Sequence, residues 1–525
     1  MIKINFEKIV FVFLGLTFFI GTWHAFPMLN IINDEMYFVG GVLRAMENHT
    51  IIPALNDVPY GTLSYLLSYV ISMGTLAVLL PFFKFSFVVL KIFLVQNPWV
   101  MYFSLRLLSA FLSLILLFFV NKIVKKEFED VKVRMFLLVL LFTNMITTLI
   151  LHTGKVWVLA TLLSVISFYY LYKVVATQVV GYDSAKKNIF WCITFSFLAV
   201  ADFPLNALCL LSIPVLFVFF WKDKKMLLKI VKYILFGIFL YLVITLLNFY
   251  SIWNQVVSIF VAYRPTKENL LENISLFQSL LIYTERLICL FPLLILTLFV
   301  VGRNRIKNIN LFRISSLYFF TYFILITVVA NWGAQIELSL RYLFPLGFFL
   351  VFIIASFDIQ YKKFFTVIAV ISIIFQIYTL YYLSIPTTYN NAYTWVITSL
   401  SKSDITIVND VSGLQLIKNK KSGVLNREGF CASKCLNIIA FDLNRDFVPL
   451  VLDKDSSVFD ITKIKGEVYY IVTSSSPTNG FILVKSFVNP SVKNHTVDYN
   501  MGNYFDSSFF KIKNLGENIY VYKRQ

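Results

Sequence analysis

Long apolar segments alternate with short polar segments along the chain, and this alternation ends near Leu383. A helix needs about 20 apolar residues to cross the ~30 Å hydrocarbon layer of a bilayer. The pattern predicts eleven spans, near residues 9–27, 99–120, 135–151, 156–174, 189–201, 204–221, 226–250, 284–301, 312–330, 342–357 and 364–383. The predicted fold class is therefore mainly α, a polytopic transmembrane helical bundle.

One further apolar segment, residues 62–83, does not fit this scheme. A single extra crossing there would reverse the side of every later loop. Residues 62–97 are therefore expected to form either a re-entrant or interfacial hairpin or two short crossings, which would raise the number of spans from eleven to thirteen. Both alternatives leave the orientation of the rest of the chain unchanged.

Lysine and arginine divide unequally between the two sides of this bundle. With the N-terminus inside, the inner segments hold 21 basic residues, whereas the outer loops before residue 387 hold six. Such an excess marks the cytoplasmic side. The N-terminus is thus predicted to be cytoplasmic, with outer loops at 28–61 and 251–283. No small-x-small cleavage site follows the first apolar segment, which is expected to be a retained anchor.

The composition changes near Pro386 to that of a soluble domain. Short β-rich segments at 405–408, 468–472 and 519–522 alternate with polar turns, as strands do. Because an odd number of spans precedes it, this part is expected outside. The predicted domains are a transmembrane domain, 1–385, and an extracytoplasmic domain of mixed α/β (α+β) structure, 386–525. Cys431 and Cys435 within it would form a small-loop disulfide only in an oxidising compartment.

Composition sharpens this picture. The chain of 525 residues is 58% hydrophobic and 14% charged, with a mean hydropathy of +0.76, which excludes a disordered chain, a coiled coil and an ordinary soluble enzyme. The net charge of +18 comes largely from the excess of basic residues in the inner loops. Because these residues mark orientation, the charge does not indicate nucleic-acid binding. No Walker or Rossmann sequence occurs, which leaves ATP-driven transport and a cytosolic nucleotide-sugar site without support.

Two adjacent carboxylates follow the first span. Asp34 and Glu35, with Tyr37 two residues later, lie in the predicted outer loop 28–61. Carboxylates at the membrane surface are costly unless they are solvated, paired or used in function. One interpretation is a solvated helix N-terminus, where acidic residues are favourable; the other is a catalytic site.

Several cations run against the inside bias. They are Arg106, Lys155, Arg264 and Arg341, the last followed by Tyr342. Each alone is explained by a long side chain reaching the interface. Several cations on the side of Asp34 and Glu35, however, suit a phosphate group at headgroup level.

The ordered series of these motifs resembles the GT-C membrane glycosyltransferases, and among them the protein mannosyltransferase and aminoarabinose transferase branch. The motifs are Asp34-Glu35 with Tyr37, Pro53, Pro59-Tyr60-Gly61, Arg106-Leu-Leu-Ser109-Ala110, Lys155, Arg341-Tyr342-Leu-Phe-Pro345 and the terminal segment 516–523. The likeness extends over nearly the whole chain. It implies a GT-C bundle that acts on a polyprenyl-phosphate sugar outside the cytoplasm.

The resemblance also implies roles for individual residues. Asp34 matches the catalytic base that deprotonates the acceptor, and Glu35 matches the acidic neighbour that orients the acceptor or the base. Lys155 stands where relatives often have arginine at the donor phosphate, and Arg106 and Arg341 match basic positions near the outer surface. The predicted substrate-binding set is completed by Tyr37, Arg264 and Tyr342.

The chemistry of such a transfer agrees with these residue types. A phosphate leaving group needs charge stabilisation more than it needs a proton, so Lys and Arg can replace a general acid. The incoming hydroxyl needs one carboxylate base, and a single displacement predicts inversion at the anomeric carbon. Since the motif has no third acidic ligand, we expect a metal-independent site without a cofactor. The acceptor is left open as a lipid, a glycan or a protein.

Other functions compete with this interpretation. A transporter or flippase of lipid-linked saccharides would also be polytopic, but should show charged or Gly/Pro-broken helices within the membrane. A polysaccharide polymerase or ligase would depend on outer-loop Arg and His in place of Asp34. A receptor-like scaffold would leave the outer cations and the acidic pair without a joint purpose.

Overall fold

The structure is a computed structural model. It describes residues 6–26, 35–53, 58, 61–97, 99–155, 157–175, 182–249, 253, 275–332, 340–359, 362–400, 405–409, 423–425, 467–472, 480–488 and 518–525.

The described chain is mainly helical up to Ser399. The helices are α1 (Phe6–Phe19), α2 (Glu35–Glu47), α3 (Thr62–Leu79), α4 (Phe87–Gln96), α5 (Trp99–Glu127), α6 (Val131–Phe142), α7 (Met145–Leu151), α8 (Trp157–Val175), α9 (Tyr182–Asp202), α10 (Ser212–Phe219), α11 (Lys224–Leu246), α12 (Leu276–Leu290), α13 (Pro292–Val301), α14 (Ile309–Trp332), α15 (Phe344–Ala355), α16 (Lys362–Ser384) and α17 (Thr388–Ser399). Short 3₁₀ helices cover Leu80–Phe83, Pro204–Leu211 and Leu340–Leu343.

Every predicted span overlaps a helical segment, so the mainly helical class is confirmed. By length and composition, six of the described helices can cross a membrane, or up to eight if each of two bent helix pairs counts as one span. The predicted numbers of eleven and thirteen spans are not confirmed by this count. Segments such as α10 and α15 are apolar but short.

Large apolar side chains cover the exterior of several helices. On α11, Leu235, Phe239 and Leu246 are each more than 60% exposed. In water such a surface would drive aggregation, whereas contact with lipid hydrocarbon removes that cost. These faces are therefore those expected of an integral membrane protein.

Residues 62–97 form a helical hairpin. The chain turns at Lys84 and Phe85, which both have positive φ angles, of 53° and 57°. Ser86 then caps α4 by accepting a hydrogen bond from the Val89 amide, and the Phe83 and Phe93 rings lie 4.8 Å apart across the turn. A hairpin is common to both predicted alternatives, and the choice between them stays a prediction.

The chain divides into two compact units, each built from segments that are distant in sequence. The first unit comprises Met1–Phe19, Thr50–Leu67 and Leu107–Leu380, and the second comprises Ile20–His49, Ser68–Arg106 and Tyr381–Gln525. The predicted domain boundary near residue 386 stays a prediction.

Segments of the first unit that were predicted to be inner loops contact one another. Arg134 forms an ion pair with Glu7 at 2.6 Å. The Asn308 amide donates to the Glu127 carboxylate at 2.9 Å, and the Asn310 amide donates to the Val175 carbonyl at 3.2 Å. Loops on the same side of a membrane are expected to make such contacts. The side itself stays a prediction.

Two broken helices meet in the first unit. The axes of α6 and α7 differ by 67°, and those of α12 and α13 by 95°. Asn144 lies at the first break, where its side chain accepts from the Ile146 amide at 3.1 Å and donates to the Leu290 carbonyl at 2.8 Å. Helix breaks free backbone groups that must be paired away from water. One amide side chain therefore serves both breaks.

A buried carboxylate joins the last residue of α9 to the first turn of α3. Asp202 is fully buried and accepts hydrogen bonds from the backbone amide of Ser64 at 2.8 Å and from its hydroxyl at 2.9 Å. A negative charge at a helix N-terminus pairs free amides and is favoured by the helix dipole. Asp202 therefore stabilises the start of α3.

Replacing Asp202 with alanine should destabilise the protein. The change leaves the buried Ser64 amide without its acceptor, which costs roughly 1–3 kcal/mol. Thermal unfolding of the detergent-purified protein should show a lower Tm. Asp183→Ala is a matched control, since Asp183 lies on the same helix but is 95% exposed. Equal Tm values for the two variants would contradict this role.

The second unit contains a five-stranded sheet of mixed direction. Its strands are β1 (Ile405–Asn409), β2 (Gly423–Leu425), β3 (Val468–Val472), β4 (Phe481–Phe487) and β5 (Ile519–Arg524), in the order β2-β1-β3-β5-β4. The three segments predicted from sequence are confirmed as β1, β3 and β5, which are neighbours in the sheet. Helix α17 packs on this sheet, with the Trp395 and Phe487 rings 6.4 Å apart. Cys431 and Cys435 lie outside the described residues.

Candidate functional site

The acidic pair lies where α2 begins. Glu35 is the first residue of the helix, and its side chain is 2% exposed. Asp34 lies outside the described residues, as do all of residues 27–34. Glu35 is thus a buried carboxylate directly beside the predicted base in sequence.

Arg106 of α5 pairs with Glu35 through two parallel hydrogen bonds. Its Nε donates to Oε1 at 2.9 Å and its Nη2 donates to Oε2 at 2.8 Å. Both side chains are 2% exposed. A bidentate arginine–carboxylate pair fixes orientation as well as distance. The predicted catalytic neighbour and one predicted cation are therefore in direct contact.

The remaining contacts of the Arg106 guanidinium anchor the turn after α1. Nη1 donates to the Thr22 carbonyl at 3.1 Å and to the His24 carbonyl at 2.7 Å. The Phe26 ring lies against it, with its centroid 4.3 Å from Cζ, in a cation–π contact. Four of the five N–H groups that arginine carries thus donate to protein acceptors among the described residues.

The turn at residues 20–26 is also held from its other side. The His24 ring donates from Nδ1 to the Leu383 carbonyl at 3.1 Å. The Asn390 amide donates to the carbonyls of Ala25, at 3.0 Å, and Phe26, at 2.9 Å. Ala25 has a positive φ of 68°, a strained conformation that such contacts maintain. Residues 27–34 are therefore flanked by an anchored turn and an anchored helix start.

Gly21 is required within this turn. Its φ is +94°, and a Cβ there would lie 2.7 Å from the Leu383 Cβ. Only glycine adopts this φ without strain. The close approach of the turn to the end of α16 therefore depends on this residue.

Lys155 belongs to the first unit and lies in the turn between α7 and α8. It is 4% exposed, which is unusual for lysine. Two contacts shape the turn: His152 Nδ1 donates to the Thr148 carbonyl at 2.6 Å, and the Thr153 hydroxyl donates to the Ile150 carbonyl at 2.8 Å. This cation is held at a helix junction and is not extended into solvent.

Aromatic contacts bring Tyr342 to the start of α8. The rings of Trp157 and Tyr342 lie 5.2 Å apart, and those of Trp157 and Phe203 lie 4.6 Å apart. Trp157 follows Lys155 by two residues. Arg341 belongs to the adjoining 3₁₀ helix, Leu340–Leu343. The turn of Lys155 and the segment of Arg341 and Tyr342 are thus neighbours in the first unit.

The structure therefore brings the predicted residues together in two groups. Glu35 and Arg106 meet in the second unit, where Tyr37 lies half-buried on α2. Lys155 and Tyr342 belong to neighbouring segments of the first unit. Asp34, Arg264 and the Arg341 side chain lie outside what the structure describes. The chemical roles of all eight residues stay predictions.

Sequence reasoning left two anchoring residues without a role. His24 has no pattern around it that indicates its contact with the end of α16. Asn390 does carry a signal, because Thr387 and Asn390 form a capping box in which the Thr387 hydroxyl donates to the Asn390 side chain at 2.6 Å. The spacing indicates a helix start, but not the carbonyls that the same amide reaches.

Metal binding can be assessed only for part of the chain. Within the described ranges, no group of three or more His, Cys, Asp or Glu side chains could hold a metal ion. Asp34 lies outside those ranges. The expectation of a metal-independent site therefore stays a prediction.

Comparisons with known proteins give a likeness at the level of fold. No family model matches the chain, and no curated protein matches it. The chain is similar to a crystal structure of ArnT from Cupriavidus metallidurans bound to undecaprenyl phosphate, with a TM-score of 0.48 and 10% identity over 88% of this chain and 92% of that one. It is similar to the apo structure of the same protein with a TM-score of 0.47, the same identity and the same coverage.

Proposed function

We propose that the chain is a membrane glycosyltransferase that moves a sugar from a polyprenyl-phosphate donor to an acceptor nucleophile on the extracytoplasmic side. Asp34 is the general base, Glu35 positions it, and the transfer inverts the anomeric carbon. Candidate acceptors are a hydroxyl or similar nucleophile of a lipid, a glycan or a protein.

The buried pair of Glu35 and Arg106 carries this proposal. Burying two charged side chains costs free energy, and their mutual attraction offsets this cost only approximately. Two well-packed apolar residues in their place would stabilise the protein equally well. What a bidentate pair provides is a fixed geometry. Here it fixes the residue that directly follows Asp34, and the same arginine holds the turn that precedes residues 27–34. The arrangement suits a carboxylate that must meet a reacting hydroxyl within hydrogen-bond distance.

The fixed position of Glu35 favours one of its two predicted roles. Its carboxylate is paired with Arg106, and burial keeps it from free solvent. Both of its carboxylate oxygens already accept hydrogen bonds from Arg106, so Glu35 is better suited to orient the neighbouring base than to orient the acceptor. Asp34 then takes the proton from the acceptor while the acceptor oxygen attacks the anomeric carbon and the sugar–phosphate bond breaks.

Lys155 is the proposed partner of the donor phosphate. A cation at a helix junction, shielded from bulk water, interacts more strongly with a phosphate than an exposed one does. It can stabilise the charge that develops on the leaving phosphate, as electrostatic catalysis requires. Arg341 and Arg264 are proposed to contribute further positive charge.

Replacing Lys155 with alanine should weaken donor binding. Loss of a hydrogen bond to a charged group costs about 1.5–3 kcal/mol, which corresponds to an affinity lower by roughly ten- to a hundredfold. Binding of farnesyl phosphate to the purified protein provides the measurement. Lys155→Arg should retain most of the affinity, and Lys186→Ala, which removes a lysine paired with exposed Asp183, should retain all of it. An unchanged Kd for Lys155→Ala would remove this residue from the phosphate site.

The function itself is tested by reconstitution. The protein in liposomes is given radiolabelled polyprenyl-phosphate sugars together with an envelope lipid and glycan extract. The expected results are release of polyprenyl phosphate and a labelled product of inverted anomeric configuration. Intact donors throughout the panel would overturn the proposal.

A second candidate, a flippase of lipid-linked saccharides, is favoured by the two broken helices. Discontinuous helices within the bilayer line substrate paths in transporters, and the α6/α7 and α12/α13 breaks meet at Asn144. The same liposomes discriminate the two functions. A flippase would move the intact donor between leaflets without releasing polyprenyl phosphate, whereas a transferase would cleave the donor.

A further inference from the structure

A groove of about 970 Å³ lies within the second unit. Its walls are the turn at residues 20–26, one face of α17 with the segment before it, and the C-terminal half of β4. Strand β4 is an edge strand of the described sheet. The groove lies beside the Glu35–Arg106 pair, whose two side chains are not part of its lining.

Both aromatic and polar side chains line the groove. The described lining contains four aromatic residues, Trp23, Phe26, Trp395 and Phe487. Seven of the fifteen described lining residues are polar, and none of the fifteen is acidic. Asn391, Thr394 and Thr398 supply polar groups from one face of α17, since they are spaced three and four residues apart.

The walls are already held in place. Asn390 ties α17 to the 20–26 turn through the Ala25 and Phe26 carbonyls, at 3.0 and 2.9 Å. The Trp395 and Phe487 rings, 6.4 Å apart, join α17 to β4. A preformed concave site loses little entropy on binding. The groove therefore has the rigidity of a binding site.

This lining fits the two-sided chemistry of a sugar. A pyranose ring has apolar C–H faces, which pack on aromatic rings, and hydroxyl edges, which pair with amides and hydroxyls that both donate and accept. A prenyl or acyl chain would leave the polar half of the lining without partners, at a cost for each buried group. The volume lies at the upper end of ordinary ligand sites, about 300–1,000 Å³, and so admits a short oligosaccharide.

The groove also shares a wall with the anchored acidic pair. The Phe26 ring lines the groove and lies against the Arg106 guanidinium, 4.3 Å from Cζ. Arg106 in turn holds Glu35. A sugar bound here would lie on the turn whose carbonyls Arg106 holds, and the same guanidinium holds the Glu35 carboxylate, so the occupant that fits the proposed chemistry is the acceptor.

We propose that this groove binds a saccharide chain and, given the proposed transferase function, that this chain belongs to the acceptor. The acceptor is then a glycan or glycolipid whose sugars lie on Trp23 and Trp395, with Asn391, Thr394 and Lys485 pairing its hydroxyls.

Saturation-transfer NMR on the full-length protein in nanodiscs tests this inference. The probes are chitotriose, mannotriose and maltotriose. At least one should receive saturation at its ring C–H protons, and its affinity should fall at least tenfold in Trp395→Ala. Since Trp395 also packs on Phe487, the second variant is Thr394→Trp, which fills the groove from an exposed position and removes no packing. Trp221→Ala, which removes a tryptophan that is 74% exposed in the first unit, is the matched control and should bind normally.

Every outcome of the NMR measurement either supports or overturns saccharide binding in the groove. Binding that is lost in Thr394→Trp and kept in Trp221→Ala supports the groove. No binding of any probe, binding that survives Thr394→Trp, or displacement of the probe by farnesol would overturn it, the last because the groove would then take hydrocarbon. The measurement needs neither donor nor catalysis. Probe binding combined with intact donor in the reconstituted assay would therefore reject the transferase alone, and transfer without probe binding would reject the groove alone.

Discussion

Asp34→Asn should abolish sugar transfer while the protein remains folded and inserted. The amide keeps the size of the carboxylate but cannot take the proton of the acceptor hydroxyl. Loss of a general base typically lowers the rate by about a hundred- to ten-thousandfold. The measurement is the initial rate of product formation in liposomes, with the amount of membrane-inserted protein determined in parallel.

The same outer loop supplies a matched control. Asp57, in the predicted loop 28–61, has no proposed role, so Asp57→Asn should transfer sugar at the normal rate.

Two results would remove Asp34 from the mechanism. One is normal transfer by Asp34→Asn. The other is an equal loss in Asp34→Asn and Asp57→Asn, which would indicate that the loop needs carboxylates for folding or insertion and not for proton transfer. Donor binding should be unaffected in either variant, because the phosphate is assigned to Lys155.

Features set by local sequence were predictable. The strands β1, β3 and β5 come from short segments rich in β-branched and aromatic residues, such as Val468–Val472, and such a run bounded by polar turns indicates a strand. The helices of the bundle come from apolar length, and each predicted span overlaps a helical segment. Charge bias predicted that the segments of Glu7 and Arg134 lie on the same side of the membrane, and these two residues form an ion pair; the side itself stays a prediction.

Features set by contacts between distant residues were not predictable. Asp202 and Ser64 are 138 residues apart, and nothing near either residue indicates that one caps the helix of the other. The bend between α6 and α7 has no signal in the sequence either, because no proline or glycine lies at the break. The contact there is between the Asn144 side chain and the Leu290 carbonyl, which is distant in sequence. A helix of the predicted length was therefore expected where two short ones occur.

The contacts of Arg106 in the candidate site were also not predictable from the sequence. Sequence placed it among cations suited to phosphate, because its charge and its predicted depth resembled those of Lys155. In the structure, the N–H groups of Arg106 donate hydrogen bonds to the Glu35 carboxylate and to the carbonyls of Thr22 and His24. A single sequence indicates where a charge lies along the chain, but not which acceptors surround it. Its proposed role is accordingly to position the acidic pair.

Arg106→Ala should be the most damaging single substitution to stability in the second unit. It leaves the Glu35 carboxylate buried without its cation, and breaking a buried pair in this way costs about 3–5 kcal/mol. It also releases the Thr22 and His24 carbonyls. We expect a marked fall in Tm and a loss of transfer. Arg106→Lys should recover little, because an ammonium group cannot form the bidentate pair and reach both carbonyls.

The double variant Arg106→Ala/Glu35→Gln separates stability from positioning. Removing the buried charge should recover much of the Tm that Arg106→Ala loses, since a neutral amide tolerates burial better than an unpaired carboxylate. Transfer should remain lost, because nothing then fixes the start of α2 beside Asp34. Arg134→Ala provides the comparison, as it breaks another arginine–glutamate pair, between buried Arg134 and partly exposed Glu7, outside the candidate site and should lower Tm while transfer per folded molecule stays normal. Recovery of both Tm and transfer in the double variant would mean that the pair serves only stability, and the positioning role of Glu35 would have to be abandoned.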